Sequence, residues 1–181
     1  SGPLATASTA ESLTRTAIRM AREQHAGESL AHAALMLDLN TGFPPLAGAR
    51  EALEEALGLL EPQQLAMRAA VMARLATAAP LAYDARASQE QVARAFALAK
   101  QGGSSFAEYA ARSAELYLCG GPSDTAGAAA CMAELEALCR QQPSMTVPPI
   151  LIEIHRAIRA FQSGALAETT AALERARFIC R

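Results

Sequence analysis

Tryptophan is absent from the 181 residues, and aromatic residues of all kinds make up 4% of them. Valine and isoleucine together fill only nine positions. Strands draw on β-branched and aromatic side chains because these pack on a pleated surface. Their scarcity excludes an all-β protein and argues against a sheet of any size. Lysine occurs once, at Lys100; the other fifteen basic residues are arginines, set against 18 acidic residues for a net charge of −2. No basic cluster is present that could displace counterions from a nucleic-acid backbone, so direct nucleic-acid binding is not expected. Charged residues are 19%, below the usual quarter or so, as in a chain with a face that meets other protein. No apolar run reaches the roughly 18–20 residues needed to span a bilayer, and no signal peptide is visible. A membrane partner is therefore not expected. Four cysteines, three of them in helical segments, read as reduced thiols of a cytoplasmic protein rather than a disulfide framework.

What is abundant is alanine, at 44 positions, within a hydrophobic fraction of 51%. Alanine, leucine, glutamate, arginine and glutamine favour helices. Glycine, proline and asparagine punctuate the chain into nine apolar-periodic segments: 8–25, 29–39, 46–60, 63–79, 87–101, 104–119, 123–141, 148–162 and 165–180. In 46–60, Leu46, Ala49, Leu53, Ala56, Leu57 and Leu60 recur at three and four residues and form one stripe. Ile150, Leu151, Ile154, Ile158 and Phe161 do the same in 148–162. Ser88 with Gln91 reads as a capping box, Ser123-Asp124 as a helix start, and Pro148-Pro149 as a first helical turn. The short loops predict antiparallel neighbours. Residues 1–7, opening Ser-Gly-Pro, read as a scar or linker. Residues 8–181 read as one α-helical repeat domain excised from a longer protein.

A large apolar residue followed three later by a small or apolar one recurs late in alternate helices. The pairs are Ile18/Ala21, Leu53/Ala56, Phe96/Ala99, Leu135/Leu138 and Leu173/Ala176. Their spacings of 35, 43, 39 and 38 residues predict a two-helix repeat. Leu135, Leu138 and Pro143, with Gly164, Leu173 and Ala176, resemble the second helix and turn of a tetratricopeptide repeat. The tryptophan and Leu-Gly of that motif's first helix are missing, and Thr169, Cys131 and Val92 stand where alanine begins its second. HEAT-like or other α-hairpin repeats therefore stay open. The cadence of 50–57, 68–76, 91–99 and 164–176 is similar to the helical-repeat region of large bacterial ATPase-type regulators, the maltose-regulator and LuxR-type activators. That likeness covers roughly residues 45–181. It implies an all-α stack of about nine helices in a right-handed superhelix, coupled to signalling or transcription-regulating domains elsewhere.

The sequence motifs of several common catalytic sites are missing. Lys100 lies in Ala99-Lys100-Gln101, not in a phosphate-binding Gly-x-x-x-x-Gly-Lys loop. Neither a Gly-x-Ser-x-Gly elbow nor a His-Glu-x-x-His zinc motif occurs, and His25, His32 and His155 are scattered. Cys131 and Cys139 are eight apart on one helix, about 12 Å along its axis, too far to share a metal. They read as small buried thiols, and Cys119 as an exposed one at a helix end. No cofactor, metal or enzymatic activity is expected. The candidate binding residues are Glu153, Arg156 and Arg159 on one helix face and Tyr109, Arg112 and Glu115 on another, with Arg68 and Arg74 as possible additions. Arginine forks suit carboxylates, phosphates and acidic side chains, although a plain solvated face fits the same spacing. The function expected is a non-enzymatic interaction or sensor arm. The alternatives are a small-molecule effector site and a structural dimerisation module. Partners would be a protein, the parent's other domains, a small-molecule effector or a second copy through a sticky C-terminal helix.

Overall fold

In the computed structural model the described residues are 3–41, 48–78, 85–118, 125–141 and 147–179. They form nine helices and no strand: α1 Pro3–Glu23, α2 Gly27–Thr41, α3 Ala49–Leu59, α4 Leu65–Ala78, α5 Ala85–Gly102, α6 Ser105–Leu118, α7 Thr125–Gln141, α8 Val147–Gln162 and α9 Leu166–Ile179. The chain is all-α, and each helix overlays one of the nine periodic segments. Two starts differ. α1 begins at Pro3, where proline's missing N–H costs nothing. α5 begins at Ala85, so Ser88 lies inside the helix and does not cap it. Ser123-Asp124 lies outside the described residues. Pro148 and Pro149 fall in the first turn of α8, as their spacing predicts. Among the described residues, no helix is long and apolar enough to cross a membrane.

Three connections close in the same way. After α1, His25 N–H donates to Arg22 O (3.1 Å) and Ala26 N–H to Ala21 O (3.0 Å). Gly103 and Ser104 repeat this pair of bonds onto Lys100 and Ala99, and Gly164 and Ala165 repeat it onto Phe161 and Ala160. This is the Schellman closure, which needs a left-handed residue just past the helix. Gly103 (φ 60°) and Gly164 (φ 78°) adopt that conformation without a Cβ clash; His25 adopts it at φ 51° with one.

Contacts divide the chain into two compact units, residues 1–114 and 115–181. In the first, α2 packs closely on both α1 and α3, and α4 on α5. Alanine supplies most of the buried positions, around Leu30, Leu53 and Val71. Ala69, Ala99 and Ala107 form a cluster joining α4, α5 and α6. Small side chains let the helices approach closely. A Cβ added at Gly27 would sit 2.8 Å from Leu59 Cβ, so the start of α2 touches the end of α3 directly.

In the second unit, α8 and α9 form the tightest hairpin, and α7 packs on α8. Its buried side chains are few and mostly small: Leu135, Cys131, Ile152, Ala157, Ala172 and Ala176 lead them. The repeat pairs Ile18/Ala21 and Leu53/Ala56 are buried, as are Ala99, Leu135 and Ala176. Leu173 is not: it is 52% exposed, because the hairpin presents it on an uncovered side.

Candidate functional site

α8 carries two different faces. Glu153, Ala157 and Ala160 recur at four and three residues and are buried; Ile154, Ile158 and Phe161 recur in the same way and are exposed. α9 is divided likewise. Ala172 and Ala176 are buried, while Leu166 and Leu173, seven apart, are exposed. The Gly164 turn brings α9 back antiparallel along α8. Helical spacing then places Ile154, Ile158, Phe161, Leu166 and Leu173 on one side of the hairpin and Glu153, Arg156, Glu168 and Arg175 on the other, with Arg177 beside Leu173 and the exposed Phe178 on the Arg175 side.

The charged side is held together by an alternating chain of ions across three helices. Arg140 of α7 lies 3.9 Å from Glu136. Arg156 of α8 donates one terminal nitrogen to Glu136 and the other to Glu153. Glu153 also accepts the Nε of Arg175 from α9, at 3.0 Å. Glu153 is 6% exposed. Burying a carboxylate is tolerable only when charged donors surround it, and two arginines do so here.

Beside this chain lies a cavity of 540 Å³ between α7, α8 and α9. Arg156, Arg159 and Arg175 reach its wall, with Glu168 opposite them in charge. Met132, Ala160 and Ala171 give it an apolar lining. His155, half-buried one turn before Arg159 on α8, has its pKa pushed down by burial and then by the Arg159 charge. Both effects disfavour a second cation.

Of the residues singled out by sequence, Glu153 and Arg156 are thus ion-paired, and Arg159 lines the same cavity as Arg156. Tyr109 and Arg112 belong to the first unit. Tyr109 is 7% exposed, and the Arg112 guanidinium stacks 4.0 Å from the centre of the Phe96 ring. Glu115 opens the second unit and is half-buried. Arg68 caps α3: its Nη1 donates to Leu60 O at 2.8 Å. Arg74 is half-buried on α4. Cys131 is buried and Cys139 half-buried, both free; burial raises the Cys139 thiol, and Glu136 adds to this. Cys119 lies outside the described residues; among the described residues no group of His, Cys, Asp or Glu could hold a metal ion.

Sequence reasoning missed Glu136, Glu168 and Arg175. One signal was present. Glu153 stands eleven residues before Gly164 and Arg175 eleven after it, so an antiparallel hairpin turning at that glycine places opposite charges level with each other.

The chain matches no family model, no curated protein and no solved structure.

Proposed function

We propose that this chain is a non-enzymatic, tetratricopeptide-like interaction and sensor module, a superhelical arm of the kind found in bacterial ATPase-type transcriptional regulators. One observation carries the interaction part. Ile154, Ile158, Phe161, Leu166 and Leu173 are all exposed on one side of the α8–α9 hairpin, with Phe161 at 66%. A contiguous apolar patch of this kind marks an interface. Helical repeats bury such stripes by stacking on a neighbouring hairpin. The occupant that fits is another α-helical hairpin with a matching stripe, and in the isolated protein a second copy supplies it.

Sedimentation equilibrium over a concentration series tests this. The expected outcome is reversible self-association, abolished by Phe161→Glu combined with Leu173→Glu while helicity is kept. A strictly monomeric wild-type protein at high concentration overturns the reading.

A further inference from the structure

The other side of the same hairpin supports a second inference, which goes beyond the interface and does not rest on it. Among the described residues Arg175 donates only its Nε, to Glu153, and its two terminal nitrogens make no hydrogen bond. The side chain is 53% exposed and forms part of the cavity wall. Glu153 therefore fixes the orientation of a guanidinium whose forked end stays available. Glu153 is itself immobilised by burial and by Arg156. Much of the entropy that a flexible arginine loses on binding is already lost, and a fork of this geometry matches a carboxylate bidentately.

The charge of the surroundings agrees. Three arginines, Arg156, Arg159 and Arg175, line the cavity against one carboxylate, Glu168. Past the arginines, Met132, Ala160 and Ala171 offer apolar surface beside the polar Gln162 and Ser163. At 540 Å³ the cavity falls within the range of small-molecule sites. We infer that the α7–α9 cavity binds an organic monocarboxylate, its carboxylate on the Arg175 fork and its apolar body against Met132 and the alanines.

Titration of the full chain with hexanoate and with benzoate, followed by amide chemical shifts, tests the assignment. Hexanamide, the same body without the charge, is the control. Expected are saturable shifts with both anions, a Kd of about 1 mM or tighter, and binding at least about tenfold weaker for hexanamide. Arg175→Lys keeps the charge and removes the fork. Ala171→Met removes no charge and fills the space. Each should weaken hexanoate binding about tenfold or more. Thermal midpoints of both variants establish that they are folded, and the half-exposed Ala171 site guards against a folding defect at Arg175. The inference fails if neither anion binds, if hexanamide binds as well as hexanoate, or if the folded variants bind like wild type. Loss of self-association through Phe161→Glu leaves this binding intact, so the two readings fail separately.

Discussion

Arg175 of α9 donates its Nε to Glu153 of α8 at 3.0 Å, across a hairpin whose glycine turn is equidistant from both. On the far side of the same carboxylate sits Arg156, which also reaches Glu136 of α7. Three helices that share few large apolar contacts are thereby tied through one buried charge.

Breaking that tie is expected to cost more stability than losing an exposed surface pair. Arg156→Ala leaves Glu153 with a single partner and Glu136 with the distant Arg140. Because Arg156 is itself about one-third exposed (35%), the loss is discounted from the fully buried case to about 1–2 kcal/mol. Arg19→Ala, which loses only an exposed pair with Glu23, should change stability by less than about 0.5 kcal/mol. Urea unfolding of the two single variants measures both. Equal effects would remove the structural role given to Arg156.

Acidification gives a second expectation. The folded-state pKa of His155 is depressed, so the unfolded chain binds the proton first as pH falls. Its contribution is fully present above its unfolded pKa, about 6.5, and is lost as pH falls from there through the depressed folded value. Urea midpoints of wild type and His155→Gln should run parallel above neutrality and diverge in this acid window, wild type falling faster. Curves that stay parallel on acidification would show that the imidazole is not penalised in the fold.

The left-handed His25 offers a gain instead of a loss. It performs the same closure as Gly103 and Gly164, with φ 51° and an exposed side chain. His25→Gly relieves the Cβ clash but enlarges the entropy of the unfolded chain. The balance is a stabilisation of about 0.5–1 kcal/mol, read from thermal or urea unfolding. A destabilised variant would mean that the imidazole makes a contact worth more than the strain.

Much of the helical layout was legible because breakers and apolar periodicity coincide. Gly103 and Gly164 stop helices where their left-handed backbone is needed, and Leu53/Ala56 lie in the buried stripe their spacing describes. The start of α5 was misplaced because Ser88 satisfies a capping pattern, while Ala85-Arg86-Ala87 continue the helix upstream without a capping residue of their own. Leu173 shows a different limit. Its place in the repeat marks it as a packing residue, but burial depends on what lies opposite, and this hairpin leaves that side open. The site was half legible. Glu153, Arg156 and Arg159 lie on one helix and share a local period; Glu136 and Arg175 join them only through the packing of α7 and α9, which no local pattern encodes.

The way the helices are partnered bears on how the chain is made. Extensive packing among the described residues joins helices adjacent in sequence, with α2 against α4 as a modest exception. A contact map of this kind has short loops to close and little entropy to lose before each contact forms. A nascent chain can complete one hairpin while the next helix is still being synthesised, without waiting for a distant segment. The last helix has no such successor in the described residues: α9 packs chiefly on α8. Within residues 115–181, α9 thus holds chiefly through one neighbouring helix, where α8 holds through two.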